Sequence, residues 1–275
     1  MTEGTSEHRE HGWSEKVRAH GVTGSRDHRH DRRAVPRVTL TSSSLPTTTA
    51  PRPELDVYLP QQDTQLLIDT LRSRGVAGAR VLDLCTGSGA IAIAAARAGA
   101  TEVTAVDASA EAVAYARQAA AEAGVRIEVA HGDLRRHRGR YDVVTCNPPY
   151  VPTPPESEAA LHPAGPSHAW DAGLDGRAVL DPLCAHVPDL LVPGGTLVLV
   201  HSEFADEEAS LRALRAGGLT AEVVAERVIP FGPVLSARAG WMEEIGMLER
   251  NRRIERLVAI VAVAPGESGP AGGSA

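Results

Sequence analysis

Between residues 51 and 264, short apolar runs alternate with stretches whose apolar positions recur at helical spacing. The short runs predict seven strands, at 80–84, 102–106, 126–130, 141–146, 195–201, 219–229 and 256–263. The helical spacing predicts helices over 61–74, 90–98, 109–123, 177–191, 206–216 and 233–248. Because strands alternating with helices form βαβ units, the pattern predicts an α/β fold. We expect a Rossmann-like, seven-stranded, mostly parallel sheet with helices on both faces.

Local sequence signals predict the ends of one of these helices and an irregularity in another. Ser109 suits the N-cap of the helix over 109–123, and Gly124 suits the left-handed residue that follows it. Pro182 and Pro188 each remove a backbone donor within 177–191, so we expect that helix to be irregular.

The chain divides into three regions by composition. Residues 1–50 are polar and contain Ser/Thr runs and scattered arginines, so we expect a disordered N-terminal tail. Residues 51–264 form the predicted catalytic domain, and 265–275 a flexible C-terminal tail. The tail histidines are His8, His11, His20, His28 and His30. Ligand spacing without a fold is weak evidence, and no metal site is predicted.

Composition and charge narrow the class of protein. The chain has 275 residues, 43% of them hydrophobic, which suits one α/β domain. The net charge of −7 disfavours wholesale attraction to nucleic acid or to anionic membranes. No apolar run reaches the roughly 18 residues that a membrane helix requires, and no signal peptide opens the chain. Three cysteines without a C-x-x-C pair indicate reduced thiols, so a cytoplasmic location is expected.

Candidate cofactor residues follow the first three predicted strands. Ligands of open α/β sheets bind beyond the carboxyl ends of the strands, where Gly87 and Gly89 allow a close backbone approach. Asp107 ends the second strand and can accept hydrogen bonds from ribose hydroxyls. Asp133 follows the third strand and can accept from an adenine amino group. The predicted cofactor contacts also include Cys85, Thr86, Leu134 and Asn147.

The same glycines match a dinucleotide fingerprint, Gly87-x-Gly89-x-x-Ala92, so the type of nucleotide needs separate evidence. Asp83 precedes the glycines, where its negative charge would repel a pyrophosphate and attract a cationic methionine moiety. A sulfonium cofactor, S-adenosyl-L-methionine, therefore fits better than NAD.

The turn Asn147-Pro148-Pro149-Tyr150 directly follows the strand over 141–146 and supplies the candidate catalytic residues. The Asn147 side-chain oxygen and the Pro148 carbonyl can accept hydrogen bonds from a flat NH₂ group. The two prolines stiffen the turn and remove backbone donors. Tyr150 offers a ring on which a planar substrate group can stack. Together with the glycine loop, which follows the first predicted strand and contains Gly87 and Gly89, the turn predicts methyl transfer to a nitrogen.

These motifs resemble those of class I methyltransferases, specifically the HemK family of glutamine-amide methyltransferases. The likeness covers 57–200 and includes Tyr58-x-Pro60-x-x-Asp63-Thr64, Asp83 to Gly89, Asn147 to Tyr150, and Ala169-Trp170-x-x-Gly173-x-x-Gly176-Arg177. The first and last of these resemble the short eukaryotic and archaeal branch, so we expect no helical substrate-binding domain. The resemblance implies a protein substrate such as a translation release factor. It also implies a small zinc-binding activator subunit.

Several assignments stay open. Asp63 and Thr64 either reach the amino-acid end of the cofactor or only form a helical first turn. Trp170 is either a hydrophobic plug or a substrate contact. The basic residues of 135–140, and Arg250, Arg252, Arg253 and Arg256, either are solvated surface or bind RNA phosphates or an acidic partner. The alternative functions are methylation of an RNA or DNA base, of a small metabolite, or cofactor binding without catalysis.

Overall fold

The computed structural model describes residues 38–39, 57–155, 161 and 165–266. Its strands are β1 Val38–Thr39, β2 Arg80–Leu84, β3 Glu102–Asp107, β4 Glu128–His131, β5 Tyr141–Cys146, β6 Leu191–Ser202, β7 Thr220–Pro230 and β8 Ile254–Val263. Its α-helices are α1 Gln62–Arg74, α2 Ala90–Arg97, α3 Ala110–Glu122, α4 Leu180–His186, α5 Glu207–Ala216 and α6 Pro233–Glu244.

The strands form one sheet in the order β1-β7-β8-β6-β5-β2-β3-β4. Only β8 is antiparallel to its neighbours, β6 and β7. The seven predicted strands are all present, which confirms the α/β fold and the mostly parallel sheet. The two-residue β1 pairs with β7 and falls inside the predicted N-terminal tail. The rest of that tail, its five histidines and 267–275 lie outside the described residues, so the domain boundaries stay a prediction.

Neighbouring strands in the middle of the sheet create the crevice. The chain runs outward from β2 to β3 and β4 and later returns to β5, which pairs with the other side of β2. Leu84 and Cys146 are partners across β2 and β5, so the loops after these strands start at the same level. Since crossovers leave in opposite directions at this point, a crevice opens there. The glycine loop and the Asn-Pro-Pro-Tyr turn are its two sides.

Helices cover both faces of the sheet. Side chains alternate along β6, so Leu197 and Leu199 enter the core formed with α4 and α5, while Val198 and Val200 enter the core formed with α1, α2 and α3. The predicted apolar face of α1 (Leu66, Leu67 and Leu71) is fully buried. None of the helices in the described part of the chain is long and apolar enough to cross a membrane.

The ends of two helices test the sequence signals. The Ser109 hydroxyl accepts a hydrogen bond from the Ala112 N–H (3.1 Å), and Gly124 follows α3 at a φ of 67°, as predicted. The irregular helix predicted over 177–191 is shorter: α4 ends at His186, and a 3₁₀ turn covers Val187–Asp189. Strand β6 starts at Leu191, earlier than predicted, because Tyr141 pairs with Leu191 across a register shift.

Helix α6 lies between β7 and β8 and fixes the loop that follows β5. Arg238 is completely buried in the middle of α6. Its guanidinium donates to the carbonyls of Leu161 (3.2 Å) and Pro152 (3.0 Å) and to the carboxylate of Asp171 (2.5 Å). A small apolar cluster that includes Trp170 and Trp241 packs around these contacts. The segment that sequence analysis left without a role therefore holds one wall of the crevice.

Candidate functional site

A cavity of about 930 Å³ opens at the carboxyl ends of β2, β3, β4 and β5. Most of the predicted site residues line it: Asp63, Thr64, Cys85, Thr86, Gly87, Asp107, Asp133, Leu134, Asn147, Pro148, Pro149, Tyr150 and Trp170. Asp83 and Gly89 do not. The structure thus brings together residues from six separate stretches of sequence at the place expected for a ligand of an open α/β sheet.

The glycine loop is held by backbone conformation and by close helix packing. Cys85, Gly87 and Gly89 all have positive φ angles (55°, 52° and 79°). A Cβ atom on Gly89 would lie 3.1 Å from the Cβ of Ala116, so glycine there lets α3 pack against the start of α2. Gly89 therefore shapes the loop from behind the cavity wall. Gly87 lines the cavity itself and leaves room for a ligand to approach the backbone.

Asp83 also lies behind this wall. It is fully buried and accepts hydrogen bonds from the hydroxyls of Thr86 (2.6 Å) and Thr145 (2.7 Å). Burial raises the pKa of Asp83 to about 6, against the lowering effect of the two hydroxyls. The structure thus gives Asp83 a role in holding Thr86. Its predicted attraction for a sulfonium ion stays a prediction.

Asp107 stands at the end of β3 with both carboxylate oxygens oriented by the backbone. Oδ2 accepts from the Gly87 N–H (2.8 Å), and Oδ1 accepts from the Ser109 N–H (2.9 Å). Each carboxylate oxygen can accept a second hydrogen bond, so the pair of ribose hydroxyls expected at this position still has acceptors. Asp107 therefore both ties the glycine loop to β3 and presents a carboxylate to the cavity.

Asp133 is engaged by its neighbour. The Arg135 guanidinium and N–H donate to its carboxylate, with Nε 2.9 Å from each oxygen. This hydrogen bonding lowers the pKa of Asp133 to about 2. The predicted contact with an adenine amino group would have to share oxygens that Arg135 already occupies, and it stays a prediction.

At the opposite end of the cavity, Asp63 is the centre of a buried hydrogen-bond cluster. Its Oδ2 accepts from the Tyr58 hydroxyl (2.8 Å), Asn147 Nδ2 (3.0 Å) and the Tyr150 hydroxyl (3.1 Å). Its Oδ1 accepts from the N–H (2.6 Å) and the hydroxyl (3.2 Å) of Thr64. Asp63 thus orients the Asn-Pro-Pro-Tyr turn, a role that its position in the first helical turn did not reveal.

This cluster fixes the orientation of Asn147. A carboxylate only accepts hydrogen bonds, so the Nδ2 group must be the side that faces Asp63. Asn147 Oδ1 then points away, and it is buried without a hydrogen-bond partner among the described residues. A buried amide oxygen without a partner is costly, roughly 1–3 kcal/mol, so its retention calls for a ligand donor. The site presents an acceptor to something that enters the cavity.

The neighbouring tyrosines remain protonated. Burial, followed by the charge of Asp63, raises the pKa of Tyr58 and of Tyr150 well above the usual value of 10. Both hydroxyls therefore act as donors to Asp63 near neutral pH and cannot serve as bases.

Glu255 also lines this end of the cavity, and sequence analysis missed it. It is 5% exposed, and its Oε2 has no hydrogen-bond partner within the part of the chain that the structure describes. Burial raises the pKa of Glu255 to about 7. A single glutamate near the start of a strand gives no sequence signal. Glu255 is placed in the sheet by the pairing of β8 with β7, where it lies opposite Ile229.

Trp170 lies on the wall formed by the loop after β5. Its carbonyl accepts from the Val151 N–H (2.9 Å), and its ring packs with the cluster around α6. Its indole Nε1 is buried and has no acceptor among the described residues. The packing suits a hydrophobic plug and the free donor suits a substrate contact, so both assignments stay open.

The residues present fit an adenosyl sulfonium ligand. The glycine loop offers a close backbone approach, and Asp107 offers a carboxylate. Within the described residues, no group of three His, Cys, Asp or Glu side chains is placed to hold a metal ion.

Comparisons with known proteins agree with this arrangement. Residues 60–162 match the family model "Methyltransferase small domain". The "Putative protein N5-glutamine methyltransferase" of Methanocaldococcus jannaschii is 32% identical over 185 residues, which are 67% of this chain and 91% of that protein. The "Release factor glutamine methyltransferase" of Bordetella pertussis is 37% identical over 60% of this chain, and the match spans 63% of that enzyme's length.

Among solved structures, the YcgJ protein of Bacillus subtilis shares the fold with a TM-score of 0.50 at 17% identity, covering 73% of this chain and 97% of that one. The chain belongs to the HemK family of class I S-adenosylmethionine-dependent methyltransferases, alongside the protein N5-glutamine methyltransferases.

Proposed function

We propose that this methyltransferase uses S-adenosyl-L-methionine to methylate the side-chain amide nitrogen of a glutamine in a protein. When bound, the cofactor supplies a methyl group that is attached to a positively charged sulfur. The chain's own task is to hold an amide, whose lone pair is delocalised and therefore a poor nucleophile, in line with that group. Reactive atoms held about 3–3.5 Å apart and aligned gain most of the advantage of an intramolecular reaction.

The observation that supports this proposal most directly is the free Oδ1 of Asn147. It is buried, aimed away from Asp63 and without a partner in the described structure. A substrate NH₂ can donate one hydrogen to it, while the Pro148 carbonyl takes the other. Two such bonds draw the nitrogen out of conjugation with its carbonyl and expose the lone pair. Tyr150, whose hydroxyl is tied to Asp63, offers its ring to the flat amide.

The hydrogen bonds and ion pairs of the basic residues favour a protein acceptor over a nucleic acid. In the loop over 135–140, Arg135 pairs with Asp133, and Arg140 donates to the Leu191 carbonyl (2.8 Å). In the second basic group, Arg252, Arg253 and Arg256 pair with Glu203, Glu243 and Glu207, respectively. Phosphate binding depends on releasing counterions from free cationic side chains. Four of the eight arginines in these two groups pair with carboxylates of their own chain, which also carries a net charge of −7.

A translation release factor is the proposed protein acceptor, supported by the relative from Bordetella pertussis whose name states that substrate. The small activator subunit implied by the resemblance to the short branch is proposed with it. Adding such a subunit to the assay should raise turnover of the protein acceptor and leave cofactor affinity in the same range.

The Asn147→Ala variant tests the proposal. We expect turnover to fall by about 100- to 1000-fold, as when a positioned hydrogen-bonding group is removed from an active site. Calorimetry should show cofactor binding retained, because Asp107 and the glycine loop are untouched. Gln118→Ala, which removes an exposed amide on α3, is the matched control and should keep wild-type turnover. Wild-type turnover in Asn147→Ala, or labelled methyl groups in RNA instead of protein, would reject the proposal.

A further inference from the structure

The end of the cavity near Asp63 and Asn147 is its acceptor end. Within the described residues, Glu255 is the one carboxyl group there that retains an unpartnered oxygen. It is the second residue of β8, pairs in register with Ile229 of β7, and lines the cavity. With 5% of its surface exposed and Oε2 unpartnered, it is a buried acid with one carboxylate oxygen that accepts no hydrogen bond. Such groups are rare unless they have a ligand or a chemical task.

The other polar side chains near Glu255 already have hydrogen-bond partners. Asp63 accepts five hydrogen bonds, three on Oδ2 and two on Oδ1, which fill its lone pairs. Tyr58 and Tyr150 are donors to Asp63 and hold their protons. Asp63 therefore has no free lone pair for a further donor, and the two protonated tyrosines cannot act as bases.

The remaining acids on the cavity wall lie toward the nucleotide end. Asp107 is held by the Gly87 and Ser109 N–H groups, and Asp133 is paired with Arg135. Glu111 is fully solvent-exposed and has His131 and His168 as its charged neighbours. Two exposed histidines also line the cavity: His131, whose Nε2 lies 2.9 Å from the Ala108 carbonyl oxygen, and His168, on the loop after β5.

We propose that Glu255 accepts the proton that the acceptor nitrogen loses on methylation, a role that rests on the proposed function. The acceptor nitrogen forms a bond to the methyl carbon while the carbon–sulfur bond breaks, and the electron pair of that bond stays on sulfur. The nitrogen then carries a positive charge and one proton too many. Its N–H bond breaks, the electrons return to nitrogen, and the proton passes to the Glu255 carboxylate and later to solvent.

The surroundings give Glu255 the proton affinity for this task. Burial is the main cause that raises its pKa to about 7. The carboxylates of Asp63 and Glu203 act in the same direction, while the Ser202 hydroxyl donates a hydrogen bond that acts against them. Arg252 is near but pairs with Glu203. A base is most effective when its pKa lies near the working pH, so Glu255 is poised to take up and release a proton.

The activity test uses Glu255→Gln, a near-isosteric change. We expect kcat to fall by about 100-fold, the usual scale for losing a general base. The wild-type decline of kcat/KM below about pH 7, caused by protonation of Glu255, should disappear in this variant. Glu244→Gln, an exposed acid on α6, is the control and should keep the wild-type profile. An unchanged acid limb in Glu255→Gln that is lost in His168→Gln would overturn the proposal in favour of the histidine.

A measurement on the ligand-free protein separates this inference from the methyl-transfer proposal. The folded state raises the Glu255 pKa from 4.5 to about 7, so the unfolded chain releases this proton first as the pH rises. The unfolding free energy of the wild type, relative to that of Glu255→Gln, should therefore decrease as the pH rises from 4.5 to about 7. The ratio of the two unfolding constants should change by about 300-fold, the factor that a pKa difference from 4.5 to 7 implies. A flat ratio would contradict the buried acid even if the enzyme methylates a protein glutamine. Conversely, a changing ratio with no methyl transfer would reject only the enzymatic proposal.

Discussion

Replacing Asp63 with asparagine perturbs the side chain that holds the acceptor end of the cavity. The new amide would have one oxygen and one NH₂ group, whereas five donors now converge on the carboxylate. If NH₂ faces the Thr64 N–H, a backbone donor 2.6 Å away loses its acceptor. If it faces the other way, three donors from Tyr58, Asn147 and Tyr150 meet a fourth donor. Either orientation leaves buried donors unsatisfied.

The magnitude follows from these contacts. Hydrogen bonds to a charged group contribute about 1.5–3 kcal/mol each, and a neutral amide retains a part of those it still accepts. We therefore expect Asp63→Asn to lower the free energy of unfolding by about 2–4 kcal/mol. Without the charge, the Asn147 amide is also free to rotate and present NH₂ to the substrate, so turnover should fall by about 100-fold.

Denaturant unfolding and methyl transfer to the protein acceptor measure the two effects. Asp69→Asn is the matched control, since Asp69 lies on the same helix, accepts from Gln65 (2.7 Å) and Arg227 (3.2 Å), and does not line the cavity. It should keep wild-type turnover. Wild-type stability together with wild-type turnover in Asp63→Asn would refute the reasoning that this carboxylate organises the acceptor end.

Two further changes test the walls of the cavity. In Gly89→Ala, the positive φ of 79° and the approach of the new Cβ to Ala116 (3.1 Å) should together destabilise the fold by about 1–3 kcal/mol and weaken cofactor binding. Gly124→Ala is the control, because that residue also has a positive φ (67°) but no atom lies within 4 Å of the new Cβ. It should keep cofactor affinity in calorimetry, and equal losses of affinity in both variants would argue against close packing as the cause. Arg238→Met removes the buried guanidinium from Asp171 and two carbonyls, which should lower the unfolding free energy by about 3–5 kcal/mol and raise KM for the protein acceptor. An unchanged KM would show that α6 does not position the loop after β5.

The fold could be predicted because its signals are local. Buried parallel strands are mostly apolar, and β2 and β5 match their predicted ranges residue for residue. Predictions failed where long-range contacts decide the outcome. The start of β6 depends on Tyr141 pairing with Leu191, and the end of α4 depends on how Pro188 leads into a 3₁₀ turn. The pairing of Tyr141 with Leu191 cannot be inferred from either stretch of sequence, whereas Pro188 predicted an irregular helix without fixing its last residue.

The candidate site was only partly visible for the same reason. Residues at consecutive strand ends, such as Gly87, Asp107 and Asn147, could be placed together because the topology forces those ends to one edge. The roles of Asp63 as a hydrogen-bond centre and of Glu255 as a buried acid could not be predicted in this way. Asp63 lies on α1 and Glu255 on β8, and each role depends on contacts with residues that are distant in sequence. Tertiary burial, which raises the pKa of Glu255, cannot be inferred from the sequence around it.

The most direct test of glutamine methylation is tandem mass spectrometry of a purified release factor after incubation with the wild-type enzyme and S-adenosyl-L-methionine. We expect one added methyl group on a glutamine side-chain amide, and formation of that product about 100- to 1000-fold more slowly with Asn147→Ala. A methyl group found only in RNA or in a small molecule, or on no acceptor with the activator subunit present, would contradict it.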